Sequence, residues 1–111
     1  MARHTLVVLT NAAPGKHDEF NKWYDEVHLR DVVGLDGFVA AQRFRLAERQ
    51  IMEDRSFEYL AIYEIECEDI NKALDALNAG SQNMVISDSL AEGAKAIAFS
   101  AIGERYEPDA D

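Results

Sequence analysis

Hydrophobic residues recur along this chain with two different periods. Thr5 to Leu9 (TLVVL) is apolar without alternation, the pattern of a strand covered on both faces in the middle of a sheet. Pro14 and Gly15 in NAAPG end it, since neither residue extends a central strand. From Lys16 to about Val33 the period becomes helical. Phe20, Trp23, Tyr24 and Val27 fall at i, i+3, i+4 and i+7, one apolar stripe. Asp18 and Glu19 suit the positive end of its dipole, and the two glycines of GLDGF punctuate its exit.

Phe38 to Leu46 alternates. Phe38, Ala40, Gln42, Phe44 and Leu46 share one predicted face, and Val39, Ala41, Arg43 and Arg45 the other. A polar connection (AERQIMEDRS) leads to a second alternating strand, Phe57 to Glu66, with Phe57, Tyr59 and Tyr63 on one face and Leu60 and Ile62 on the other. DINKALDALNAG is a helix, with Asp69 as N-cap, Ile70, Ala73, Leu74 and Leu77 as its stripe, and Gly80 as its C-terminal cap. SQNMVISDSLAEG reads as a short helical continuation. Ala94 to Tyr106 is the last strand, and the acidic tail EPDAD is expected to fray.

The order strand, helix, strand, strand, helix, strand gives an α+β, ferredoxin-like βαββαβ fold. Its four-stranded antiparallel sheet carries both helices on one face. Apolar residues on both sides of several strands leave the other face wanting a cover, so a homodimer is expected. At 111 residues the chain reads as a single domain spanning 1–111.

Charge narrows the partners. A formal charge of −10, with no local Lys/Arg cluster, disfavours nucleic acid. No stretch reads as membrane-spanning or as a signal-peptide core, so the cytoplasm is the expected location. Cys67, the lone cysteine, allows no intrachain disulfide, and the acids of EIECED around it disfavour a thiolate. Nucleotide-binding glycine motifs and the G-x-S-x-G elbow are absent from the sequence.

His28 is the residue that invites chemistry. It lies four after Tyr24 and eight after Phe20, so it continues the apolar stripe. Asp25, three residues earlier, is placed to orient the imidazole as a general base. The structural alternative, a half-buried histidine bonded to a backbone carbonyl, stays open on spacing alone. One Asp-x-x-His pair without a second such helix does not make a metal site, and His4 and His17 add no matching spacing. Trp23 and Tyr24 could line an aromatic pocket, but their place on the stripe favours the core; Tyr59 and Tyr63 on their shared strand face point into the core or into a cavity between subunits, with the core again favoured. Arg43 alternates with apolar residues, either reaching the rim or pairing with an anion such as a substrate carboxylate. Asn11 orients a ligand carbonyl or serves the turn that follows it.

Three pieces of sequence together resemble the EthD-like branch of the dimeric α+β barrel superfamily. They are the helix Trp23, Tyr24, His28, Leu29; the turn Gly37–Phe38; and the strand Ala41, Arg43, Phe44. Arg30 and Asp36 stand where such proteins often carry proline. The resemblance implies two subunits packed sheet to sheet, each with a pocket between helices and sheet. The superfamily includes lactone isomerases, polyketide cyclases, and haem-degrading and quinol monooxygenases. In several of its cofactor-free enzymes the helix histidine faces the pocket and is proposed to move protons, a role that falls here to His28. The expectation is therefore a cofactor-independent isomerase, cyclase or lyase acting on a small cyclic, aromatic or polyketide-like carbonyl compound. Tyr24 or Tyr59 would serve the oxyanion. Alternatives are a non-catalytic small-molecule binder or accessory protein of a degradation pathway, and a haem or quinol monooxygenase.

Overall fold

The computed structural model describes residues 2–109, so the reading of the tail lies outside the described residues at Ala110 and Asp111. Strand β1 (Arg3–Thr10) leads into a long helix in three parts: α1 (His17–Trp23), a π-helical turn (Tyr24–His28) and α2 (Leu29–Val33). Strands β2 (Phe38–Arg45) and β3 (Tyr59–Glu66), helix α3 (Ile70–Ser81) and strand β4 (Lys95–Ser100) follow. The sheet is antiparallel with order β2-β3-β1-β4, the ferredoxin-like topology. Among the described residues no helix is long and apolar enough to cross a membrane.

The core lies between the sheet and the helices. Strand β3 shows why: Tyr59, Ala61, Tyr63 and Ile65 are buried, while Leu60, Ile62, Glu64 and Glu66 alternate on the other side. Leu6 on β1, Phe38 on β2, and Phe20, Trp23, Tyr24 and Val32 on the long helix close the same cluster. His4 pins the sheet's end. A carbonyl only accepts, so Nε2 donates to Cys67 O at 3.3 Å and Nδ1 accepts from the Ser100 hydroxyl at 2.7 Å.

Three local expectations are corrected. Strand β2 carries a bulge between Phe38 and Ala40, and one extra residue reverses the alternation beyond it. Phe38 therefore shares the helix side with Ala41 and Arg43, and Ala40, Gln42 and Phe44 turn away. The segment after α3 is not helical. It runs as turns tied to the end of β1, through Ala13 N to Ser89 O at 2.7 Å and Ala91 N to Asn11 O at 2.9 Å. Strand β4 stops at Ser100 because β1, its only neighbour among the described residues, begins at Arg3; the amide of Ala101 makes the last bond, to Arg3 O at 2.9 Å.

Two glycines act differently from one another. Asp69 caps α3 as expected, accepting from Asn71 N at 2.9 Å, but Gly80 lies inside the helix, whose C-cap is Gln82. A Cβ at Gly80 would sit 2.7 Å from Leu35 Cδ2, so glycine there permits close approach rather than a left-handed exit. Gly37 has φ +89° and faces Ala73 Cβ at 3.4 Å. Gly37→Ala is expected to lower the unfolding free energy by about 1–2 kcal/mol, read by urea denaturation.

Candidate functional site

The long helix places its chemistry through an irregularity. Residues five apart are about 140° out of phase on an α-helix, yet the Trp23 and His28 rings stack at 4.7 Å, tilted by only 24°. The π-turn that starts at Tyr24 adds the residue needed to bring them together. It also rotates Val27 off the stripe, leaving it 38% exposed where the α-period puts it inside. The Tyr24 ring meets the imidazole edge-on at 4.9 Å.

His28 is half-buried, and its Nδ1 is buried without a hydrogen-bond partner. Burial lowers its pKa below the usual 6.5, with Asp31 opposing the shift. The ring is therefore neutral at pH 7, with an unengaged nitrogen. The structural reading that satisfied this histidine with a backbone carbonyl does not hold at Nδ1.

Asp25 does not serve His28. Its Oδ1 accepts from the Arg43 guanidinium at 2.9 Å, and Asn21 Oδ1 accepts from the same group at 2.9 Å. Arg43 in turn lies over the Tyr24 ring at 4.5 Å, with Phe20 and Tyr59 at 5.4 Å. The guanidinium is thus compensated, not held open for a carboxylate. Arg43→Met is expected to cost about 2 kcal/mol by loss of the cation–π contact and the charged hydrogen bonds. Lysine should not restore it in the same denaturation assay, because it lacks the planar fork.

Tyr24 and Tyr63 form a buried hydroxyl pair, Tyr63 donating to Tyr24 at 3.1 Å. Burial raises both pKa values, so both stay protonated, and Tyr24 keeps its own proton to donate. Tyr59 anchors a second group. Its hydroxyl lies 2.9 Å from His17 Nδ1 and accepts from Asn21 at 3.3 Å and Arg45 at 3.4 Å. Asn21, Asp25, Arg43, Phe44, Arg45 and Tyr59 line an open cleft of about 320 Å³.

Tyr24 is the bridge, in contact with both the His28 imidazole and the Arg43 guanidinium. Trp23 donates to Val85 O at 2.9 Å, which fixes its ring against the segment after α3. Asn11 stays outside the group. It bonds backbone at Ser56 O (2.8 Å) and Glu58 N (2.9 Å), holding the loop before β3. The sequence reading passed over His17 and Arg45. The available signal was the i, i+4, i+8 spacing of His17, Asn21 and Asp25, a polar row beside the apolar one.

No family model and no curated protein matches this chain. Solved structures do match. An EthD family protein from Bacillus halodurans C-125 aligns with TM-score 0.58 and 13% identity over 96% of this chain and 100% of its own. A haem-degrading protein from Mycobacterium tuberculosis, with two haems bound in its active site, aligns with TM-score 0.64 and 15% identity over 93% of this chain and 99% of its own. A dimeric ferredoxin-like protein of unknown function from Thermobifida fusca YX aligns with TM-score 0.51 and 11% identity over 90% and 92%. At these identities the similarity establishes the fold, which is the one the EthD-like motif implied. Chemistry on such folds must be argued from the site.

Proposed function

We propose that this protein is a cofactor-independent acid–base catalyst, working as a homodimer on small cyclic, aromatic or polyketide-like carbonyl compounds. The observation that carries this reading is the neutral His28 imidazole, with a buried Nδ1 unpartnered beside two aromatic rings. A buried polar nitrogen left unbonded costs about 1–3 kcal/mol, and that cost calls for a use.

In the proposed reaction His28 takes a proton from the carbon next to a carbonyl. The electron pair moves onto the carbonyl oxygen, where the Tyr24 hydroxyl donates to it. The imidazolium returns the proton at another carbon, giving an isomer, or assists departure of a leaving group. Asp25 and Asn21 hold Arg43 over Tyr24 and so fix that ring. Neither His28 nor Trp23 lines the cleft beside Arg43. The proposal therefore demands that the segment at Val85 move off Trp23 when ligand binds.

Trp23 is the sole tryptophan, so its fluorescence reports that movement directly. The catalytic test is uptake of solvent deuterium into a panel of cyclic ketones and lactones, read by mass spectrometry for wild type and His28→Gln. Equal uptake by the two proteins would end the His28 mechanism. The second reading, a non-catalytic binder, draws on the Arg43–Asp25–Asn21 group, which engages the Arg43 guanidinium within the chain itself. Ligand-dependent Trp23 fluorescence without deuterium uptake by any protein would support it. A haem reading, raised by the Mycobacterium tuberculosis neighbour, is tested by haem titration: a new absorbance band that His28→Gln abolishes would support it, and no change at stoichiometric haem would count against it.

A further inference from the structure

Arg43 and Arg45 follow one another on the helix side of β2, but they are held very differently. Arg43 makes 2.9 Å bonds to Asp25 and to Asn21. Arg45 stands across from Tyr59 in the β2–β3 ladder. Its Nη2 donates to the Tyr59 hydroxyl at 3.4 Å, its Nε lies 3.7 Å from Glu58, and its side chain is 65% exposed. Contacts of that length hold a guanidinium weakly, and the planar fork of arginine matches a carboxylate. The cleft beside it has a volume of about 320 Å³ and is lined by Phe44 as well as by the polar group. That is the scale of a site for a small molecule with one apolar side.

The hydrogen bonds at Tyr59 can be counted. A tyrosine oxygen has two lone pairs and one proton. Asn21 and Arg45 donate to it at 3.3 and 3.4 Å. Its own proton is left for His17 Nδ1, at 2.9 Å. This arrangement requires a neutral His17, because a protonated Nδ1 accepts nothing. Glu58 Oε1, 3.6 Å from the same nitrogen, is placed to receive the proton that an imidazolium carries there. The charged and titratable groups about this ring are therefore Tyr59 and Glu58 from the start of β3 and Arg45 from β2. Lys16, beside it in sequence, is paired with Asp88 at 3.4 Å.

We infer that this cleft is a recognition site for a small aromatic or cyclic carboxylate, gripped by the Arg45 guanidinium and the Tyr59 hydroxyl against Phe44, with the proton on His17 setting its affinity. The site goes beyond the His28 chemistry proposed above and does not depend on it. Once His17 is protonated, Glu58 turns from Arg45 towards the imidazolium and the Tyr59 proton turns to the ligand. Binding therefore tightens as pH falls through the range in which histidines gain a proton, while a ligand carboxylate stays ionised. One negative charge is what the site fits, since Glu58 beside Arg45 repels the second charge of a phosphate.

Benzoate is the probe, with benzamide and inorganic phosphate for comparison, on the full-length protein. Binding is followed by calorimetry and by the NMR amide shifts of Phe44 and Arg45. Benzoate is expected to move those signals in the millimolar range and to bind about tenfold more tightly at about pH 5.5 than at about pH 8. Benzamide and phosphate should each bind about tenfold or more weakly at the lower pH. Arg45→Met should lose benzoate by a similar factor, with circular dichroism checking that this exposed position leaves the fold intact. His17→Gln should bind at both pH values as wild type does at the higher one. Benzoate that leaves the Phe44 and Arg45 signals unmoved, or that binds Arg45→Met like wild type, overturns the site. Benzamide or phosphate bound as tightly as benzoate overturns the carboxylate assignment. A pH dependence that is absent from wild type, or that survives in His17→Gln, overturns the role of His17. Deuterium uptake is a separate readout, so failure of the His28 mechanism and failure of this site are told apart.

Discussion

Phe20→Ala is expected to remove about 3–5 kcal/mol of stability, a large part of the 5–15 kcal/mol typical of a domain. Phe20 is 0% exposed. Its ring contacts Tyr59 at 5.1 Å, Tyr24 at 5.5 Å and Trp23 at 6.1 Å, and the Arg43 guanidinium lies 5.4 Å away. Those rings are fixed elsewhere: Tyr59 by its hydroxyl contacts, Tyr24 by Tyr63, and Trp23 by Val85 O. They cannot close on the space that alanine leaves, so the cavity term adds to the lost transfer energy. The urea midpoint should fall with the slope unchanged. Val27→Ala is the informative companion. A regular α-helix would bury both residues, whereas the π-turn leaves Val27 partly exposed. Its loss should stay within about 0.5–1 kcal/mol. Comparable losses at the two positions would contradict the π-turn.

That contrast shows what the amino-acid pattern carries and what it does not. Periodicity placed Phe20, Trp23, Tyr24 and His28 on one side of a helix, because three- and four-residue spacing is a property of the sequence itself. The π-turn is invisible to it, since inserting a residue into a helical turn depends on how the helix beds on the sheet. The β2 bulge is the same kind of event on a strand: Phe38 and Arg43 read as opposite faces, and the bulge puts both inside. Asp25 was tied to His28 because spacing along one helix sees only that helix. Its real partner, Arg43, comes from a strand 18 residues away. Asn11 shows the converse, a residue with ligand-like chemistry whose side-chain bonds go to the backbone of the loop before β3. The order of elements survived these shifts because it depends on the sum of many positions.

His28→Gln is expected to lower proton-transfer turnover by about 10²–10⁴-fold, the usual contribution of a positioned acid–base group. Glutamine keeps polarity and approximate size but cannot accept and return a proton near neutrality. The pH dependence then separates catalysis from mere packing. The folded pKa of His28 lies below the unfolded 6.5, because burial disfavours the charged ring. Above that value the ring is neutral in both states and its contribution to stability is complete. As pH falls below 6.5 the unfolded chain takes up the proton first, so stability declines until the folded pKa is passed. The difference in unfolding free energy between wild type and His28→Gln should therefore shrink with acidification in that window and be flat above it. Activity should follow the same group, with the acid limb of kcat/KM lying below 6.5, where the buried imidazole is still unprotonated. A wild-type limb at or above 6.5 would place the base elsewhere. A stability difference that grows with acidification would mean that the folded state favours the imidazolium, through Asp31. The neutral imidazole would then cease to be the resting form on which the proposed mechanism depends.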